Sequence, residues 1–216
     1  MSDRLTDALV AANAPLWRAA TEHRFVRELG ADTLPDAVFR RYLVQDFAFI
    51  EALVTLLGHA VARAPGMAQK RRLAGFLAAV TGDETNYFER ALTALGAGEV
   101  FAAPERIALE DATERLRALM AAAGERGSYA EILAILVPAE WVYLAWARAC
   151  PIPGPKRFYL AEWIELHAIP AFADFVDWLR RELDREGAAA AAGERIAALF
   201  RTTLELERDF FDAAYG

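Results

Sequence analysis

The chain has 216 residues, enough for a sizeable core in one large domain or two small ones. Its 56% hydrophobic and 11% aromatic content belongs to a globular chain and argues against disorder. A formal charge of −7, with Lys and Arg scattered, argues against a nucleic-acid footprint, so no nucleic-acid partner is expected.

Almost every segment reads as helix. The N-terminus has no basic stretch followed by a long apolar one, so no secretory signal is expected, and Ser2 or Asp3 can cap a first amphipathic helix. Pro15 restarts it at Leu16, and Gly30 stops the segment after His23-Arg-Phe-Val. Thr33 and Pro35 open a long helix that should run to Ala64-Pro65-Gly66. A second long helix is expected from Met67 to the Gly96–Gly98 region, on the stripe Leu73, Leu77, Val80, Tyr87 or Phe88, Ala91 and Leu95. Pro104 should begin a more polar helix ending near Gly124, and Ser128-Tyr-Ala-Glu131 is a capping box for the next. That helix holds the most apolar window, 132–149, but Pro138, Glu140 and Arg148 interrupt it; a core helix is expected there and no membrane span. Cys150 to Pro155 is a hard stop. A following helix carries Phe158 to His167, kinks at Pro170 and continues through Phe172, Phe175 and Leu179. Gly187 to Gly193 reads as a hinge before a last helix through Ala214. With no alternating strand pattern, no repeat and no convincing linker, the expectation is an all-α bundle in a single domain over 1–216. Cys150 is the sole cysteine, so no intramolecular disulfide can form and a reducing, cytoplasmic location is expected.

Four predicted helices each place one acid where a core residue belongs. Asp46 completes the stripe of Phe39, Leu43, Ile50, Leu53 and Leu57; Glu84 lies between Val80 and Tyr87; Glu140 and Glu207 fill the corresponding gaps in their own helices. Any one alone has an ordinary explanation, an acid at a stripe edge paired with a neighbouring arginine. Together they suggest a common cavity, in which carboxyls acquire raised pKa values useful for catalysis. Phe49, Tyr143 and Phe210 each follow an acid by three residues and so share its face. Ordinary core packing accounts for any one of them. Combined with the acids they suit a flat nitrogen heterocycle, because a carboxyl matches the donor–acceptor edge of an aminopyrimidine. A dimetal bundle would need Glu-x-x-His pairs, and none of His23, His59 or His167 follows an acid by three, so no metal is expected. His167 is either a pocket residue or a structural histidine.

These features resemble the TenA family (thiaminase II and its relatives). The resemblance runs nearly end to end, through His23-Arg-Phe-Val with Gly30 and Leu34-Pro35, Tyr42-Leu-Val-Gln-Asp46, Ser128 to Leu133 with Pro138-Ala-Glu-Trp-Val-Tyr143, Trp163-Ile-Glu-Leu-His167, and Glu207 to Tyr215. It implies a heme-oxygenase-like helical fold without heme or other cofactor, a homo-oligomer (tetramer or dimer), and thiamin salvage by hydrolysis at the methylene of an aminopyrimidine. By the resemblance, Asp46 holds the ring and Glu207 handles protons. Phe49, Tyr143 and Phe210 match pocket aromatics, and His167 stands where the thiaminase branch usually has tyrosine; Glu84 is counted with the ligand-binding residues on its stripe position alone. That branch carries a nucleophilic cysteine directly after the proline matching Pro138, where this chain has Ala139, and Cys150 lies about three turns further on. The likeness is therefore to the family's cysteine-less branch, with Glu140 as the candidate to activate water or to stand in for the nucleophile. A pocket tyrosine expected in the stretch from Ile107 to Met120 is also missing. The alternatives from other classes are a non-catalytic ligand-binding or regulatory protein, since the family is also associated with transcriptional activation, and a dimetal oxidase on the same bundle.

Overall fold

In the computed structural model, residues 4–189 and 193–216 are described, the side chains of 83, 84, 188 and 189 excepted. Among them the chain forms eleven α-helices and no strand. In order these are α1 (Leu5–Ala12), α2 (Ala14–Thr21), α3 (Arg24–Gly30), α4 (Asp36–Arg63), α5 (Met67–Ala79), α6 (Thr85–Ala94), α7 (Asp111–Arg126), α8 (Tyr129–Ala149), α9 (Phe158–Ala168), α10 (Pro170–Ala189) and α11 (Gly193–Ala213). The bundle is all-α, as its patterning predicts. The proposed Ser2 or Asp3 cap and positions 190–192 of the alanine stretch lie outside the described residues.

Helix α8 is the centre of the bundle, packed between α10 and α11, while α4 packs on α5 and α7. Ser128 caps α8 reciprocally: its Oγ accepts from the Glu131 N–H at 3.3 Å, and Glu131 accepts from the Ser128 N–H at 2.7 Å. Of the most apolar window of α8, 83% is buried inside the fold, which is how a core helix reaches the hydropathy of a membrane span. Pro138 sits within this helix and cannot donate to the carbonyl of Ala134, leaving the turn before Ala139 and Glu140 one hydrogen bond short.

Three boundaries differ from the sequence reading; in one, the helix expected to kink at Pro170 and continue ends at Ala168, Ile169 is extended, and α10 starts afresh at Pro170. The helix expected from Met67 to Gly96 is broken into α5 and α6 by a π-helical turn, Val80–Glu84. Each π turn holds one extra residue, which rotates the helix face there, and the stripe resumes in α6, where Tyr87, Phe88 and Ala91 are buried. The helix expected from Pro104 begins only at Asp111, after a 3₁₀ turn (Pro104–Arg106) and an extended stretch. Gln45 of α4 fixes that stretch. Its amide donates to the Ala108 carbonyl at 2.9 Å, and its oxygen accepts from the Glu110 N–H at 2.9 Å and the Thr113 hydroxyl at 2.7 Å. Gln45→Leu keeps the bulk but strands these buried groups, so a loss of about 2–4 kcal/mol in unfolding free energy is expected. An unshifted urea midpoint would contradict it.

Candidate active site

A cavity of about 520 Å³ opens between α4, α5, the π turn, α8, α9, α10 and α11. Its inner end is lined by Asp46 of α4, Glu140 of α8 and Glu207 of α11, which are 3%, 7% and 2% exposed. Each acid lies on the apolar face of its helix, so the packing that buries the stripe carries the carboxyl inward with it. Phe49, Tyr143, Trp163 and His167 complete this end. The outer end is formed by exposed residues, among them Ala68, Arg71 and Arg72 of α5 and Ala171 at the start of α10.

The electrostatics follow from burial. Glu207 is pushed up to about 8 by desolvation, so at neutral pH it is mostly the neutral acid. The Tyr143 phenol is held well above its usual value, first by burial and then by the charges of Asp46 and Glu207, with a smaller contribution from Glu140. One tyrosine thus senses all three acids. Its hydroxyl lies 2.8 Å from that of Tyr42, which is itself raised by burial and by Asp46. His167 is pushed down to about 4 by burial, so its imidazole is neutral. Nδ1 lies 2.8 Å from the Trp163 carbonyl, and since a carbonyl only accepts, the proton sits on Nδ1 and Nε2 is left as an acceptor. Ring contacts with Tyr143 at 4.9 Å and Trp163 at 4.4 Å fix the imidazole plane.

Asp46, Phe49, Glu140, Tyr143, His167 and Glu207 are therefore brought to one cavity. Phe210 stands one layer behind, its ring 6.3 Å from that of Phe49 and edge-on to Tyr42 at 5.5 Å. The side chain of Glu84 lies outside the described ones; its backbone belongs to the π turn, whose Val80 lines the cavity. Ala139 also faces the cavity, while Cys150 does not; its half-buried thiol is pushed up to about 11 by burial. Among the described residues no group of three or more His, Cys, Asp or Glu side chains is disposed to hold a metal ion.

The sequence reading missed an entire wall. Ala68, Arg71, Arg72, Gly75, Phe76 and Ala79 recur at steps of three and four and turn one face of α5 to the cavity. The spacing is legible, but small residues and arginines do not look like a core stripe. Phe172 and Phe175 of α10, read only as helix-packing residues, line the same cavity.

The sequence profile of the TENA/THI-4/PQQC family matches residues 10–216. An aminopyrimidine aminohydrolase of Halalkalibacterium halodurans is 27% identical over 208 residues, covering 94% of this chain and 91% of the relative. One from Helicobacter pylori is 27% identical over 207 residues, 93% of each. A TenA homologue protein from P. horikoshii OT3 superposes with a TM-score of 0.87 at 23% identity, over 98% of both chains, a likeness of fold. With the profile spanning nearly the whole length, the chain belongs to the TENA/THI-4/PQQC family.

Proposed function

We propose that this chain is a hydrolase of thiamin-derived aminopyrimidines, acting in thiamin salvage. The observation that carries the reading is the convergence of Asp46, Glu140 and Glu207 from three helices on one aromatic-walled cavity. The two relatives named aminopyrimidine aminohydrolase support it.

In this reading Asp46 pairs with the amine and ring nitrogen of the pyrimidine, and the aromatic walls cover its faces. Water adds its oxygen to the exocyclic methylene carbon, the carbon–nitrogen bond breaks, and that electron pair leaves with the amine. Glu140 takes the proton that the attacking water sheds. Glu207, protonated at neutral pH because it is buried, supplies the proton that the departing amine needs. Hydroxymethylpyrimidine and an amine, or ammonia, are the products. Ala139 offers no thiolate, so the step needs no covalent thioether intermediate.

The test is incubation of the protein with thiamin, the aminomethylpyrimidine and its formylated form, following hydroxymethylpyrimidine by chromatography. Release from an aminomethylpyrimidine is expected. Tight binding of all three without release would replace the enzyme with a ligand-binding protein.

A further inference from the structure

The cavity is polarised from end to end. Its buried end holds the three acids, whereas its exposed end holds Arg71 and Arg72 on the cavity face of α5. Beside them α10 begins: Ile169, Ala171 and Phe172 line the cavity, and the first N–H groups of this 20-residue helix have no helical acceptor. The neighbouring cation on α5 is engaged, since Lys70 donates to the Val61 and Ala62 carbonyls at 2.7 and 3.0 Å. Arg71 and Arg72, by contrast, form no ion pair or side-chain hydrogen bond among the described residues. The acids nearby are Asp174 and Asp177, in a groove that Arg72 shares with Gln69, Trp178 and Arg181; Asp177 is paired with Arg181 and, at 3.5 Å, with Arg4. Arg71 borders the cavity without bordering that groove. Gly75 and Ala79 follow the arginines along the same face, and a Cβ on Gly75 would meet open space, so the wall leaves room for an arm reaching outward from a ring held at the acids.

We propose that Arg71 and Arg72 select substrates that carry an anionic group, a carboxylate or a phosphate ester, at the end of the molecule away from the aminopyrimidine. The inference rests on the proposed function, because it takes the ring to lie against Asp46. A ligand with a cationic or amine-bearing ring at one end and an anion at the other matches the cavity's charge along its whole length. The guanidinium groups would grip the outer anion through charge-assisted hydrogen bonds, moderated by solvent and therefore sensitive to salt.

Calorimetric binding of two matched pairs tests it. One pair is thiamin and thiamin monophosphate. The other is the aminomethylpyrimidine acylated with a succinamide or with a succinate arm, nearly isosteric and differing by one charge. At low salt the anionic member of at least one pair is expected to bind roughly tenfold tighter, and the pair that shows it identifies phosphate or carboxylate as the preferred group. Raising NaCl should shrink the preference, and Arg71→Gln/Arg72→Gln should bring the anionic member down to the affinity of its counterpart that lacks the anion. Equal binding within both pairs, or a preference that survives the double substitution, overturns this inference and leaves the aminopyrimidine site standing. Absence of binding by all four ligands would remove both.

Discussion

Glu207→Gln is expected to lower kcat by about 10²–10⁴-fold, the range for loss of a positioned proton donor, with KM little changed. Glutamine copies the shape of the neutral acid that burial enforces at this site, but it carries no transferable proton. Wild-type kcat should fall as pH rises through about 8, where Glu207 ionises and ceases to be an acid. Stability moves the opposite way in the variant. Below the ordinary glutamate value of 4.5 the carboxyl is protonated in both folded and unfolded chains and contributes no pH dependence. Between 4.5 and about 8 the unfolded chain releases this proton while the folded chain keeps it, so wild-type stability is lost as pH rises. By pH 7 that loss amounts to about 3 kcal/mol. Glutamine does not titrate, so relative to wild type Glu207→Gln should gain stability between pH 5 and 8 and gain no more above. Denaturation at a series of pH values, read beside kcat, separates the two effects. A variant with wild-type turnover, or a stability difference flat across that range, would remove Glu207 from the proton-transfer role.

The same apolar stripes that made the fold legible also exposed the three acids of the cavity. Asp46, Glu140 and Glu207 stand out in sequence because each interrupts a 3.6-residue pattern, and a carboxyl seldom occupies a core position without a purpose that outweighs its desolvation. Periodicity also assumes an unbroken α-helix, and there it reached its limit. The π turn at Val80–Glu84 changes the residues per turn, so an unbroken 3.6-residue projection does not carry through it, although Tyr87, Phe88 and Ala91 beyond it are buried as the stripe expects. The late start of α7 was hidden for a different reason: the side chain that holds 107–110 extended, Gln45, is more than sixty residues away in sequence. The α5 wall was legible in spacing and illegible in composition. Phe210 carried the right spacing after Glu207, yet it stands behind the cavity, because residues three apart share a helix face about 100° wide and only part of that width meets the opening.

Asp46→Ala is expected to weaken binding of an aminopyrimidine by about 100-fold or more. The change leaves the ring's amine and ring nitrogen facing a cavity wall that can satisfy neither, and an unpaired buried polar group costs more than the net value of the bond it lost. Asp46→Asn makes the test sharper. An asparagine amide can donate to the ring nitrogen and accept from the exocyclic amine, reproducing the hydrogen-bond pattern without the charge. It should therefore recover part of the affinity lost in the alanine variant, and the remaining deficit measures the charge-assisted share, about 1–2 kcal/mol. Asp46 is 3% exposed and its charge reaches both Tyr42 and Tyr143, so either substitution should also relieve part of the upward push on those phenols, whose largest cause is burial. Ligand affinity in Asp46→Ala within threefold of wild type would mean that Asp46 lies in the cavity but does not hold the ring.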